Sequence, residues 1–388
     1  MSAGEQALPL LVAARPALEG ARVDLAEVQQ ARGRIDAGTL SPRVAGLVAR
    51  LDGVLPLFGT AVDGALLLPE LLGASGPRTY LLVAQNNQEL RATGGFISGV
   101  GELRVNGGRL EGLQAGGSGG PTFRDSYAVD NLAVPHEVAP DDFQRVLLGD
   151  LIFFRDANWD PNFPTSARRI LEIYGRDQGV VADGVIALDL SALQLLVGAA
   201  APLSVAGVDE PVDAGNVMRV IQGQWSQTGE GQGQDWWLHR KDFMGDVAAA
   251  LFARLGQAQG VDPGALVSAV KQALDQKHLL VYLSEPGVAA LLRAQNWDGA
   301  LPDPAQQGDF LLLVDSNAGF NKVDARVERS LVYQVELAAG GPVRARLAAT
   351  YRHQGQQPVD RQALHAGHRC NVLRLLLAVE HEHRVDQV

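Results

Sequence analysis

Apolar positions in the first 73 residues recur at three- and four-residue steps: Leu25, Val28 and Ala31, then Val44, Leu47, Val48 and Leu51. That spacing puts one face of each segment on a helical period. Pro16, Gly33 and the stretch 38–42 divide it, and Ser41-Pro42 reads as a helix start with proline at the first helical position. From Tyr80 the pattern changes. Thr79-Tyr80-Leu81-Leu82-Val83-Ala84-Gln85 is a short apolar run of strand length and predicts a buried strand. Residues 100–113 predict two strands around Asn106-Gly107-Gly108, a hairpin signal.

Beyond a flexible Gly-Gly-Ser-Gly-Gly stretch at 116–120, residues 122–164 are long, polar and scattered with proline and aromatics, the signature of a functional loop. Helices are predicted over 166–175, 191–200, 214–224, 242–257, 263–276 and 287–295. Strands are predicted after Asp183, over 278–283 and over 310–315. A Gly/Gln-rich stretch at 227–234 separates two of the helices. Alternating strands and helices predict an α/β domain with a mixed central sheet flanked by helices. From Val327 the period becomes two: Leu331, Tyr333, Val335 and Leu337, then Val343, Ala345, Leu347 and Ala349, joined through Gly340-Gly341-Pro342. The expected organisation is a helical N-terminal region (1–78), an α/β core (79–325) and a partial β-rich C-terminal module (326–388). The last stretch, with His365, His368, His381 and His383, forms no tidy unit.

Composition narrows the function classes. The chain has 388 residues, 46% apolar and 20% charged, with a formal net charge of −11. An acidic chain without a dense Lys/Arg block does not suit nucleic acid, which is bound through basic patches. The single cysteine, Cys370, excludes an internal disulfide, and no partners for a cysteine nucleophile are evident. No uninterrupted apolar run reaches ~18 residues, so no transmembrane helix is expected. The first residues also lack the basic and apolar regions of a signal peptide. Neither zinc-ligand spacing nor a Gly-x-Ser-x-Gly elbow is present. Trp225, Trp236 and Trp237 either stack on sugar rings or cap the core.

The candidate chemistry collects at predicted strand ends. Asn86, Asn87, Glu89, Arg91 and Thr93 follow the core strand at 79–85, directly before Gly94-Gly95. Ligands in open α/β sheets bind beyond the carboxyl ends of strands. Three further clusters are Asp156/Asn158/Asp160, Arg240/Lys241, and Asp315/Asn317 with Lys322. Guanidinium forks suit phosphate oxygens, and carboxylate and amide oxygens suit magnesium or calcium. Together they would fit a pyrophosphate with a divalent ion, Mg2+ held by Asp156 and Asp160. Two readings stand: the clusters bind such a ligand, or their members satisfy one another as polar turns.

The wording of these segments resembles the bacterial domain-of-unknown-function family 4012. The matching residues are Tyr80-Leu81-Leu82, Gln85-Asn86-Asn87, Glu89-Leu90-Arg91, Thr93-Gly94-Gly95-Phe96, Gly101-Glu102-Leu103 and Asn106-Gly107. After them come 156–164, Asp183 to Asp189, and Asp315-Ser316-Asn317 with Asn321-Lys322. The resemblance spans roughly 70 to 355. A fainter one, over 181–205, is to the LytR-CpsA-Psr phosphotransferases, through the Asp183 to Asp189 strand, the helix after Ser191 and Pro202-Leu203-Ser204-Val205. It implies a LytR-CpsA-Psr-like core, and a polyprenyl-phosphate lipid or envelope glycan as partner. Their arginine-rich run has only a weak echo in His239-Arg240-Lys241. The resemblances imply an extracytoplasmic, membrane-anchored cell-envelope domain, cut from a longer parent or shortened, with its β-module incomplete. Its function is expected to be binding or scaffolding, or alternatively glycan phosphotransfer.

Overall fold

The run read as a buried strand forms β1 (Arg78–Asn86), and a six-stranded sheet is built around it. The computed structural model describes residues 3–111, 123–225, 242–257, 260–302, 310–319, 321–337, 344–354 and 372–378. The glycine-rich stretches 116–120 and 227–234, the turn at 340–342, Trp236, Trp237, Cys370 and the four C-terminal histidines lie outside these residues. So do Arg240 and Lys241, and the Trp225 side chain.

On one side β1 pairs antiparallel with β2 (Phe96–Asn106), Tyr80 opposite Leu103. On the other it pairs in parallel with β5 (Gly184–Asp189), Gln85 opposite Asp189. Short strands β3 (Arg109–Glu111) and β4 (Arg124–Asp125) both lean on β2. At the other edge, β6 (Leu279–Leu283) runs antiparallel to β5. The sheet is therefore mixed, in the order β3-β2-β1-β5-β6. The hairpin signal at 106–108 is realised: β2 turns into β3 through Gly107 and Gly108, with φ of 57° and 80°. Two successive positive φ values suit glycine, which has no Cβ to clash.

Strand side chains alternate between faces, and both faces of β1 are buried, hence its near-continuous apolar run. Leu81 and Val83 enter a core with Ile97, Val185, Phe154, Trp159 and the inner face of α4 (Phe163–Gln178). Ala167, Ile170, Ile173 and Tyr174 form that inner face, spaced for a helix. Tyr80 faces the other way, towards Leu103, Leu283 and the buried Val288 and Leu292 of α9 (Pro286–Ala294). Beside it α5 (Leu190–Ala200) packs on α8 (Pro263–Asp275), Ala192 against Ala273 and Leu274. A further cluster joins α5 to α6 (Val217–Trp225) and α7 (Asp242–Gln257) through Val197, Ile221 and Val247.

Three sequence expectations need correction. The stretch 122–164 is not a free loop where described. Its α3 (Asp141–Leu147) buries Phe143 and Leu147, and Ile152, Phe154 and Trp159 are core residues. Irregular spacing hid this, because a cover built from turns has no period to detect. The final stretch contains a strand, β10 (Val372–Ala378), paired antiparallel with β7 (Phe310–Ser316).

The third correction concerns the N-terminus. It is a hairpin of two long helices, α1 (Ala3–Gly33) and α2 (Pro42–Leu71), with Pro42 opening α2 as expected. By length and composition α2 can cross a membrane: its best 18-residue window has a mean hydropathy of 1.5, and 6% of it is buried. Searching for uninterrupted apolar residues misses a helix whose apolar window tolerates single polar ones. Val44, Leu47, Leu51, Val54 and Phe58 form an exposed stripe along it. The C-terminal hairpin, β8 (Val327–Glu336) with β9 (Arg344–His353), likewise exposes Leu331, Val332, Tyr333 and Val335.

Candidate functional site

The loop from Asn87 to Gly95 returns the chain from β1 to β2. Gly94 takes a φ of 124°, and a Cβ on Gly95 would meet the Asn86 carbonyl at 2.5 Å. Glycine is required at both, for conformation at the first and for space at the second.

Inside this loop the Arg91 side chain is fully buried. Its Nε donates to Asp156 Oδ1 at 3.2 Å. Its Nη1 donates to the carbonyls of Leu90 (3.1 Å) and Asn317 (2.8 Å). Glu89 Oε1 lies 3.8 Å from Nη2, and the Phe96 ring stacks under the guanidinium, 5.4 Å from its centroid. Asp156, in turn, is 3.6 Å from Arg155 Nε, and Arg155 donates to Asp130 at 2.8 Å. On the far side, Asp324 Oδ2 accepts from the Leu90 backbone N–H (3.0 Å) and from Asn317 Nδ2 (2.9 Å), and its other oxygen pairs with Arg329. Arg329 Nε also meets Asp315 at 2.7 Å. A buried charge is tolerated only when paired and hydrogen-bonded, and here acids and guanidinium groups alternate through the fold.

A second buried set lies beside the first. Asn158 Nδ2 donates to Gln85 Oε1, Thr93 Oγ1 and the Gly95 carbonyl at 3.2, 3.0 and 2.8 Å, and the Thr93 hydroxyl donates to Gln85 at 3.1 Å. Asn86 is buried too, and its Oδ1 accepts from the Gln88 backbone N–H at 3.1 Å.

The sequence clusters at 86–93, 156–158 and 315–324 therefore do meet, but in the interior. Arg91 is matched by carboxylate and carbonyls at Nε and Nη1, while its buried Nη2 has only the Glu89 carboxylate at 3.8 Å and no hydrogen-bond partner among the described residues. The expected pair of metal ligands does not fit a divalent ion: the Asp156 carboxylate already faces two guanidinium groups. Asp160 instead accepts from the Asn162 backbone N–H at 2.8 Å. Among the described residues no group of three His, Cys, Asp or Glu side chains gathers in metal-holding geometry.

Asn87 is the exception. It points away from this network, to Asp189 Oδ2 (3.3 Å) and Ser191 Oγ (3.2 Å) at the carboxyl end of β5. Asp189 caps α5, its Oδ1 accepting from the N–H groups of Ser191 and Ala192 at 2.8 and 2.9 Å. Its Oδ2 also accepts from His278 Nδ1 at 2.7 Å. Ser191 and His278 line an open cavity of about 430 Å³ between α5 and α8, with Gln194, Gln272 and Gln276 around it. This open concave surface adjoins the carboxyl end of β5, the side of such sheets where ligands bind. Sequence reasoning missed Asp189, Ser191 and His278. Asp189-Leu190-Ser191 was the available signal, an acidic cap opening an apolar helix. Nothing local announces His278, which arrives from 89 residues away.

With this geometry in hand, the chain can be set beside known proteins. Residues 75–225 match the family described as "Protein of unknown function (DUF4012)". The match runs from β1 to α6 and takes in Arg91, Asp156 and Asp189. Asn317 and His278 lie beyond it. No functionally curated protein matches the chain. Among solved structures it is similar to TagV of B. subtilis, a LytR-CpsA-Psr protein, at 10% identity over 57% of this chain and 80% of that one, with a TM-score of 0.32. It is also similar to the transcriptional regulator yvhJ of Bacillus subtilis, at 8% identity over 75% and 94%, with a TM-score of 0.31.

Two outcomes test the account of the buried network. Arg91→Ala removes a cation that Asp156 needs, and chemical denaturation should show a loss of about 3–5 kcal/mol. A loss below ~1 kcal/mol would mean that the network does not hold the fold. Glu89 provides a pH signature. Burial, outweighing the attraction of Arg91, pushes its carboxyl above the usual 4.5. A folded-state value raised above the unfolded one stabilises at low pH, and that contribution is lost as pH rises through the folded value. Glu89→Gln should therefore gain melting temperature relative to wild type as pH rises from about 4 to 7. A parallel offset across that window would refute the assignment.

Proposed function

We propose that this chain is a membrane-associated domain of the bacterial cell envelope, facing outside the cytoplasm, that binds a partner rather than transforming it. The exposed apolar stripe of α2 carries the reading. Val44, Leu47, Leu51, Val54 and Phe58 lie on one face of a helix whose best window has a mean hydropathy of 1.5, with almost none of it buried. An apolar helix exposed in this way gains free energy by moving its apolar surface out of water into a bilayer. The match to DUF4012 over residues 75–225 is consistent with this placement and names no activity.

The alternative is phosphotransfer from polyprenyl-pyrophosphate-linked glycans. It asks for cations free to meet phosphate, because positioning and electrostatics dominate that chemistry. Arg91 has Nε and Nη1 taken up by Asp156 and two carbonyls, and its Nη2, without a hydrogen-bond partner among the described residues, is buried 3.8 Å from Glu89; Arg240 and Lys241 lie outside the described residues. Internal neutralisation of Arg91 supports the binding reading over the transferase one. It also leaves a magnesium-held pyrophosphate without an evident seat in the 86–93 segment.

Two measurements follow. In a flotation assay the full chain should rise with phospholipid vesicles, and Leu47→Asp/Leu51→Asp should stay at the bottom of the gradient while melting within a few degrees of wild type. If the wild-type chain fails to float, the membrane reading is wrong. In a thermal-shift titration, undecaprenyl pyrophosphate with magnesium should leave the melting temperature unchanged. A ligand at ~100 times its dissociation constant would stabilise by roughly 2.7 kcal/mol, so a clear magnesium-dependent shift would favour the transferase.

A further inference from the structure

We propose that the cavity between α5 and α8 is a binding site for an uncharged polyhydroxy ligand, a sugar, received by His278, Ser191 and the side-chain amides of Gln194, Gln272 and Gln276. The inference goes beyond the membrane-associated reading and does not depend on it.

Asp189 anchors the site. Its carboxylate accepts from four donors: two backbone N–H groups at the start of α5, Asn87 Nδ2, and His278 Nδ1 at 2.7 Å. A carboxylate acceptor at Nδ1 places the proton of a neutral imidazole on that nitrogen. Nε2 is then left with its lone pair, and among the described residues it has no partner. His278 lines the cavity and so offers an acceptor there. Ser191 supplies the complement. Its Oγ accepts from Asn87 Nδ2 at 3.2 Å, so its own proton is available to donate. An acceptor and a donor side by side match a hydroxyl group, which is both.

The rest of the wall has the same character. Gln194 is steadied by its Nε2 bond to the Ala214 carbonyl at 2.8 Å, which leaves its amide oxygen as an acceptor. Gln272 and Gln276 are exposed at the rim. Leu195 gives an apolar patch for the C–H face of a ring. Among the described residues no lysine, arginine, aspartate or glutamate lines the cavity. Lys277, next in sequence to Gln276, is turned away to the Asn296 carbonyl. Among the described lining residues a phosphate or carboxylate would find no cation, and a cation would find the Asp189 carboxylate already occupied. What remains is recognition by neutral hydrogen bonds, which discriminates strongly against ligands that leave a partner unpaired. The volume, about 430 Å³, is within the range of small-ligand sites.

The test uses the full chain and three neutral disaccharides, maltose, cellobiose and chitobiose, with glucuronic acid and glucose 1-phosphate as charged comparators. Calorimetric titration is paired with 15N spectra of the imidazoles. At least one neutral sugar should bind with a millimolar or tighter dissociation constant and move the His278 Nε2 resonance. His278→Phe should weaken that binding tenfold or more. Gln272→Ala, at an exposed position where folding is not at stake, should weaken it at least threefold with an unchanged melting temperature. The proposal is overturned if none of the three sugars moves the His278 resonance, if either charged comparator binds more tightly than every neutral sugar, or if Gln272→Ala and a folded His278→Phe both bind as wild type does. Vesicle flotation is unaffected by any of these results, so failure here and failure of the membrane reading are separable.

Discussion

The Arg91 guanidinium is the constraint to which the rest of this fold answers. It is one of the largest fully buried side chains, and it carries a charge. Burying an isolated charge is prohibitive, so the chain must deliver counter-charge and acceptors to one point. Asp156 comes from the turn that follows the packed 123–153 segment, the Asn317 carbonyl from beyond β7, and the Leu90 carbonyl from the loop itself. Because Asp324 then ties Leu90 to Asn317, and Arg329 ties Asp324 to Asp315, the end of β7 and the start of β8 are fixed to the end of β1. The network gains specificity of assembly from its demand that every member be present.

This arrangement separates two roles that the sequence runs together. Residues 86–93 read as one polar cluster, yet their side chains diverge. Glu89, Arg91 and Thr93 turn to interior partners, while Asn87 alone reaches across to Asp189 and Ser191. Gln85 and Asp189 are register partners on parallel strands, so the residues just after them emerge side by side at the carboxyl ends. The rigid interior thus fixes the position of Asn87, and Asn87 with Asp189 orients the groups at the mouth of the cavity. A site held by side chains that are themselves locked by packing keeps its geometry.

The parts legible in sequence were those with a period or a turn signature. The β1 run, the Gly107-Gly108 hairpin, the Pro42 helix start, α4 and the strand from Gly184 to Asp189 all follow from local pattern, and the mixed α/β sheet follows from their alternation. The 86–93, 156–158 and 315–324 segments were legible as polar clusters at strand ends; that they meet, and in the interior, was not. Burial of an arginine depends on whether an acid from 65 residues away and a carbonyl from 226 residues away arrive to meet it, and no local pattern encodes that. The aromatic cover over 139–159 was missed because only the seven-residue α3 in it is an α-helix and most of its other buried residues are set by turns. His278 was invisible as a site residue for the same reason as Asp324: each acts on a partner distant in sequence.

The N-terminal hairpin sets a last physical limit. Taken alone, α2 has the length and apolarity to span a bilayer. It is not alone. α1 packs along it and carries Glu5, Arg15, Glu19, Arg22, Asp24, Glu27 and Arg32, and Arg32 grips Asp52 of α2 with two bonds of 2.6 and 2.7 Å. Each such charge at the centre of a bilayer costs about 2.5–3.5 kcal/mol even on the most lenient scale, so the two helices cannot cross together. Leu67 and Leu71 near the end of α2 also pack against the core cluster of Tyr80 and Leu283, and withdrawal of α2 into a membrane would expose that cluster. On the proposed membrane-associated reading, the arrangement that keeps both sets of contacts is a hairpin lying along the surface. There α2 would turn the Leu47/Leu51/Phe58 stripe into the interface, and α1 would keep its charges in water, where they cost least.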